Sequence, residues 1–283
     1  MKRSVACKST VAAACVALFL TGCAGESPAA REVWQETAWQ SAFAITREDE
    51  KTEPEQPQEV QLPNGTGIFR IAEGGEYLLS GSMEGQIIVD ACEDELVHLY
   101  LAGVNVTSHQ GPAILIEEAS KVVVTLVSGT ENVLTDSPDY TGYEDTEGCL
   151  YCAADLTING EGSLSVIAYH EDGIRSRDVV KVLGGRIDVQ ARGDGIRGND
   201  GIAIKNSQIE IESEGSGIRS TRQGEGARGV IEIDGGTIQL IAGKSGIWSA
   251  SDLHMRDCGC TINAVEEKTR IEGRNAIEEG CMN

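Results

Sequence analysis

An internal repeat is the feature that most constrains this chain. Units open at Asp155-Leu156-Thr157-Ile158-Asn159-Gly160, Asp178-Val179-Val180-Lys181-Val182, Asp200-Gly201-Ile202-Ala203-Ile204, Gly229-Val230-Ile231-Glu232-Ile233-Asp234-Gly235 and Asp252-Leu253-His254-Met255, at intervals of 23, 22, 29 and 23 residues. Each full unit closes on a second signature: Asp172-Gly173-Ile174-Arg175, Asp194-Gly195-Ile196-Arg197, Ser216-Gly217-Ile218-Arg219 and Ser245-Gly246-Ile247-Trp248, spaced by 22, 22 and 29. The long interval carries an insertion near residues 221–227, rich in Gly and charge, which a repeat array places in a loop on one face.

Apolar residues recur at every second position, as in Val97, Leu99, Leu101 and Val122, Val124, Leu126, although apolar residues also lie between them. Period two is the strand signal, and Gly, Asn and Asp punctuate the strands. Short strands in rungs of about 22 residues predict an all-β chain coiled as a parallel β-helix, a β-solenoid. Leucine-rich repeats share the length but not the Leu-x-x-Leu-x-Leu pattern. An antiparallel sandwich would not repeat the same corner residues at fixed spacing. Residues 77–89, 97–106 and 113–127 read as degenerate rungs, and Ile174, Ile196, Ile218 and Ile247 as one interior ladder. The tail from Ala264 to Asn283 loses the repeat and is expected to cap the coil. Aromatics at 4% and 34 glycines suit thin layers of Ile and Val with many turns better than a helical bundle.

The N-terminus bears on the compartment. Lys2, Arg3 and Lys8 precede an apolar run, Val11 to Leu20, too short for a stable membrane span but fitting a signal-peptide core. It ends in Leu20-Thr21-Gly22-Cys23, which resembles the lipobox of bacterial lipoproteins. The resemblance implies that residues 1–22 are removed as a signal peptide and that Cys23 receives a diacylglycerol. That would hold the protein at the extracytoplasmic side of the cell membrane by a lipid anchor alone, for which two acyl chains suffice. Residues 23–63, with Glu48-Asp49-Glu50-Lys51 and Glu53-Pro54-Glu55-Gln56-Pro57, read as an acidic, proline-bearing tether. Trp34, Trp39 and Phe43 interrupt it, either as a short helix over the first coil or as an incidental sticky segment. Residues 64–283 form the expected β-helix domain.

Loss of the signal removes three basic and no acidic residues, so the remaining chain carries a net charge of −25. Nucleic acid phosphates would be repelled, whereas divalent cations and partners bridged by them are permitted. Beyond the signal and Cys23 the cysteines are Cys92, Cys149, Cys152, Cys258, Cys260 and Cys281. An even number outside the cytoplasm points to disulfides, but six allow fifteen pairings. Cys149-x-x-Cys152 lacks a second pair or a nearby His for zinc, which leaves a local bridge or free thiols.

In a stacked coil, equivalent residues lie about 4.8 Å apart. Asp172 and Asp194 then repel by roughly 3 kcal/mol at an effective dielectric of about 20. Calcium, which takes about six to eight oxygens, would relieve this. Asp178 and Asp200 form a second column that completes the site or makes another. Alternatively, Asp-Gly is simply a good turn pair and the neighbouring arginines do the neutralising. Arg175, Arg197 and Arg219 form a column ending in Trp248. Such a row either grips an acidic polysaccharide, by bidentate pairing and ring stacking, or only offsets the aspartates.

Further stretches carry a resemblance to a family: Tyr77-Leu78-Leu79-Ser80-Gly81-Ser82, Gly85-Gln86-Ile87-Ile88-Val89-Asp90, Gly129-Thr130-Glu131-Asn132-Val133-Leu134-Thr135-Asp136, and the Asp-Gly-Ile repeats. From about residue 66 to 263 the chain resembles the bacterial carbohydrate-binding β-helix family related in fold to polysaccharide lyases. The resemblance implies a right-handed parallel β-helix that binds calcium and plant cell-wall polysaccharides such as pectic acid and cellulose. It places Asp172 and Asp194 on the family's Asp-Gly-Ile positions, while Ser216 and Ser245 depart from them. The leading expectation is calcium-dependent polysaccharide binding without catalysis. A lyase acting by β-elimination, with Lys181, Lys205 or an arginine as base, is the alternative, and a purely structural solenoid the third.

Overall fold

The computed structural model describes residues 41–224 and 228–282. The signal segment, Cys23, Trp34 and Trp39 lie outside the described residues. Strand follows strand, and among the described residues the only helix is the single turn Arg47–Glu50. The pairings are parallel, and each joins a segment to its equivalent one coil later. Ile174 faces Ile196, Ile196 faces Ile218, and Ile218 faces Ile247. All four isoleucines have 0% exposure, so the expected interior ladder is present.

The pairings sort into three faces. The first holds Lys121–Leu126, the opening halves of Asp155–Ala168 and Val179–Ala191, then Gly201–Lys205, Val230–Asp234 and Leu253–Arg256. The second holds Glu131–Thr135, the closing halves of the two long strands, Gln208–Ser213, Thr237–Ala242 and Gly259–Ala264. The third holds Ile114–Glu118, Gly148–Cys152, Asp172–Ser176, Ile196–Gly198, Ile218–Ser220, Ser245–Ser249 and Glu267–Ile271. A register shift between Gly184 and Arg186 marks where one long strand turns from the first face to the second.

Close stacking explains the glycine of the repeated signature. A Cβ on Gly173, Gly195, Gly217 or Gly246 would sit 2.7 Å from the carbonyl oxygen of Gly195, Gly217, Gly246 or Lys268 respectively. The next coil approaches too closely at this corner for any side chain. On the second face, burial alternates strictly along Gln208–Ser213 and Thr237–Ala242, as half-buried strands require.

The tail from Ala264 lies on the last coil, where Glu267–Ile271 and Asn275–Ile277 pair with Ser245–Ser249 and Leu253–Met255. Backbone pairing continues the coil there although outward residues replace the repeat. Part of the expected tether is also structure. Gln58–Gln61 pairs with Tyr77–Ser80, and residues 41–51 lie as a strap along the first face.

The strap explains the apolar and polar residues on the outer side of the first face. Phe43 packs on Ala203, Val230 and Val179, and the Ser41 hydroxyl and Ala42 N–H donate to the Glu232 carboxylate. Asp49 has 0% exposure. Its carboxylate accepts from Lys121 Nζ at 2.6 Å, Lys181 Nζ at 3.0 Å and the Thr157 hydroxyl at 2.5 Å. Burial pushes the Asp49 pKa up, but these donors and the Thr46 N–H outweigh it and hold the carboxyl well below the usual range. Removing one partner of a buried charge cluster leaves the others uncompensated, at a cost of about 3–5 kcal/mol. Asp49→Ala is therefore expected to release the strap, read as rapid tryptic cleavage at Arg47 or Lys51 and a lower denaturant midpoint. Cleavage no faster than in the parent would contradict the latch.

Candidate functional site

The corner before the third face carries the repeated aspartates. Asp172 and Asp194 are buried, at 2% and 3% exposure. Asp172 Oδ1 accepts from the Asp194 N–H at 2.7 Å, and Asp194 Oδ1 accepts from the Ser216 N–H at 2.7 Å. Each aspartate therefore caps the backbone one coil ahead. The other oxygens face guanidinium groups: Asp172 Oδ2 lies 3.5 Å from both Arg175 and Arg197, and Asp194 Oδ2 3.2 Å from Arg219. Burial, then the Asp194 charge, push the Asp172 carboxyl upward against these arginines. These two carboxylates, expected as calcium ligands, thus already have partners at both oxygens. Among the described residues no three or more His, Cys, Asp or Glu side chains converge as a metal cluster.

The second column differs. Asp178 is half-buried, and its carboxyl is pushed up by burial and by the charges of Asp155 and Asp200. Asp200 pairs with Arg222 at 2.5 Å and more loosely with Arg228 at 4.0 Å. Asp155 Oδ1 accepts from the Val179 N–H at 3.2 Å. Stacked carboxylates that repel one another suit a hard, oxygen-seeking cation better than the saturated first pair does.

The outward column of the third face runs Tyr151, Arg175, Arg197, Arg219, Trp248, Arg270 in register. Arg219 lies 3.8 Å above the Trp248 ring and Arg270 4.3 Å from it. Guanidinium groups therefore cover both faces of the indole, as cation–π attraction favours, and no ring face is left for a sugar. The three repeat arginines are largely tied to their aspartates, and their Nε atoms are buried without a hydrogen-bond partner. The offsetting role of this column is thus realised in full, while the sugar-stacking role of Trp248 is blocked in this arrangement.

Beside the column, residues 136–147 form a loop that walls a cleft of about 680 Å³. Tyr143 from this loop packs on Ile88, Leu115 and Tyr151, and its hydroxyl donates to Gln86 Oε1 at 3.0 Å. The loop is pinned at its base, where the Tyr140 hydroxyl donates to Asp136 Oδ2 at 2.8 Å and the Tyr140 ring stacks on His170. At its end Glu147 pairs with Arg175. Exposed Arg177 and half-buried Asn199 also line it, together with the acidic Glu117 and Asp145. The repeat gives no sign of this cleft because a loop outside the period makes it. The signal that could have found it is the turn-rich run 136–147 between two strands.

Two further expectations meet geometry. Cys149 and Cys152 lie on one extended strand, so their Cα atoms are about 10 Å apart, beyond the reach of a local bridge. Lys181, considered as a base, is buried and donates to Asp49 and to the Ala44 carbonyl, out of a substrate's reach.

Coils stacked in parallel, with like side chains in outward rows and a loop-walled cleft, define a β-helix that presents an extended surface. The comparisons agree. A family model described as carbohydrate-binding domain-containing protein matches residues 66–280, and the chain belongs to that family. A curated protein of that description from Acetivibrio thermocellus is 41% identical over 219 residues, covering 75% of this chain and 76% of its own. A solved structure, the polysaccharide lyase-like protein from C. thermocellum in a gadolinium derivative, is similar with a TM-score of 0.74 at 33% identity, over 76% of this chain and 89% of that one.

The aspartate ladder makes a pH prediction. Asp172 has a folded pKa above its unfolded value, so its contribution to stability is fully present below the unfolded pKa and is lost as pH rises through the folded one. Over the range from about pH 4 to about pH 7 the parent should lose stability on this account. Asp172→Asn keeps the acceptor for the Asp194 N–H and should flatten that slope in thermal melts. An unchanged slope would mean that Asp172 is ionised throughout.

Proposed function

We propose that the protein is a non-catalytic polysaccharide-binding protein, displayed on the extracytoplasmic side of the cell membrane through lipidated Cys23. In this reading the right-handed coil of about 22-residue rungs grips an acidic plant cell-wall polysaccharide, with calcium as cofactor. The observation that carries it is the cleft on the third face. There exposed Arg177 and half-buried Asn199 supply hydrogen-bond donors beside Tyr143, and the cleft opens onto the arginine column. A charge-assisted bond from Arg to a carboxylate is the strong kind, and its planar fork selects uronates. Arg175, Arg197 and Arg219 continue the row along the coil axis, and, being engaged with Glu147, Asp172 and Asp194, they would add long-range attraction for an acidic chain rather than forks of their own. Trp248 would end that track as part of the guanidinium stack.

Calcium is assigned in this reading to the column of Asp178 and Asp200, where Asp178 is pushed up by burial and by neighbouring carboxylates, in competition with Arg222 at Asp200. Asp172 and Asp194 would act through the ladder that positions the arginines. The absence of catalysis is supported by the engagement of Lys181 and of the repeat arginines, and by surface chemistry that repeats along the axis.

Calorimetry of the protein with polygalacturonate, with and without calcium, tests the proposal. Heat that requires calcium, with no rise of ultraviolet absorbance from unsaturated products, is expected. Arg177→Ala should weaken binding about tenfold, the weight of one charge-assisted bond. Asp178→Asn with Asp200→Asn should abolish the calcium requirement or the binding. New absorbance would make the protein a lyase. Heat with cellulose but none with polygalacturonate would replace the acidic ligand by a neutral one.

A further inference from the structure

We propose that Glu147 is a built-in competitor for the cleft on the third face: its carboxylate occupies the Arg175 guanidinium while the cleft is empty, and swings aside when a carboxylate of an acidic glycan takes that guanidinium. The inference rests on the proposed binding of an acidic glycan at this cleft and adds its regulation.

Glu147 ends the loop 136–147, one residue before the strand Gly148–Cys152, and both Glu147 and Arg175 line the cleft. The carboxylate accepts from Arg175 Nη1. The Glu147 side chain is 44% exposed and that of Arg175 only 11%, so the acid is the outer member of the pair. The aspartates of the ladder differ. Asp172 and Asp194 are buried, and each accepts a backbone N–H of the next coil. Moving either would strand an amide in a buried corner, at the full cost of its desolvation. No backbone N–H of the described residues donates to Glu147, so its carboxylate turns to water without that cost. Arg175 keeps Asp172 at 3.5 Å, which holds the guanidinium in place.

The movement needed is small. Tyr143 N–H donates to the Tyr140 carbonyl at 2.7 Å, Thr146 N–H to the Tyr143 carbonyl at 2.9 Å, and Gly148 N–H to the Thr146 carbonyl at 2.9 Å. The backbone is held on both sides of Glu147, so displacement is a side-chain rotation rather than an opening of the loop. Rotamer changes of exposed side chains are fast beside any association step. Burial pushes the Glu147 carboxyl up, but the bond from Arg175 and the charges of Arg175, Arg197 and His170 outweigh it and hold it below the usual range. At neutral pH Glu147 therefore offers the same ionised group as a uronate, and one planar guanidinium serves either. Arg177 follows Arg175 by two residues on the same side of the strand, about 7 Å away. A ligand that also engages Arg177 and Asn199 outbids Glu147, whereas a lone carboxylate only matches it. The competitor thus selects polymeric over single acidic sugars.

Glu147→Gln keeps the shape of the side chain and removes its charge. In calorimetry of the full chain with polygalacturonate, this variant should bind about two- to fivefold more tightly than the parent, the weight of one partly exposed ion pair that need not be broken. Asp145 lines the same cleft and, among the described residues, forms no ion pair. Asp145→Asn, the same change of charge, should alter affinity much less. Without any glycan, phenylglyoxal should modify Arg175 faster in Glu147→Gln than in the parent, read by peptide mass spectrometry with Arg177 as internal reference. Weaker or unchanged binding by Glu147→Gln would overturn the inference and leave the cleft reading standing. Equal tightening by Asp145→Asn would overturn it as well, by reducing the effect to bulk charge. Heat from neither protein would sink the acidic-glycan reading itself, and the rate at Arg175 would then decide whether Glu147 shields that guanidinium.

Discussion

In-register parallel pairing is the constraint on which the rest of the molecule depends. Each backbone group finds its partner one coil away, so every side chain meets the side chain at its own position about 4.8 Å above and below. Like therefore stacks on like. For Ile174, Ile196, Ile218 and Ile247 this is favourable, and it fills the interior. For carboxylates it is unfavourable unless something intervenes. The corner aspartates meet the condition by accepting the N–H of the next coil at one oxygen and facing arginine at the other. The arginines in turn stack in their own row, and Trp248, held between Arg219 and Arg270, separates the last of them. A single repeat rule thus produces the hydrophobic, acidic and basic ladders at once.

The first face shows what happens where a ladder is covered. His98, Tyr100, Thr125 and Asn159 stack beneath the strap, each nearly without exposure. Buried polar groups need partners, and these form a chain. The Tyr100 hydroxyl donates to His98 Nδ1, which leaves the Nε2–H to donate to Thr125; the Thr125 hydroxyl donates to Asn159 Oδ1. Asn159 Nδ2 then donates to the carbonyls of Asp49 and Lys51 in the strap. Burial pushes the His98 pKa down to about 4, consistent with a neutral ring inside this chain. A polar ladder of this kind specifies where the strap docks more sharply than an apolar one would.

The third face joins the two regimes. Its ladder has internal partners along most of its length, but beside Arg175 the loop 136–147 opens a cleft where donors are turned to solvent. Membership of the carbohydrate-binding family is what speaks for carbohydrate recognition, and the cleft is the proposed place for it. Fold alone would not carry that reading, since β-helices serve several functions.

Much of the fold was legible because a repeat is a local signal. The Asp-Gly-Ile spacing foretells which isoleucines stack and why glycine recurs, since both follow from one coil lying on the next. The same spacing located Asp172, Asp194, Arg175, Arg197 and Arg219, and left their division of labour open. The tertiary structure decided that division, because whether an arginine faces an aspartate or the solvent depends on side-chain direction at a corner. It also decided the strap, in which Asp49 meets Thr157 across 108 residues. The sequence by itself determined that the chain coils and what each ladder is made of, because period and composition act over neighbouring residues. Only the folded chain determined which ladders are covered, saturated or open, because that rests on segments outside the period meeting the coil at a distance.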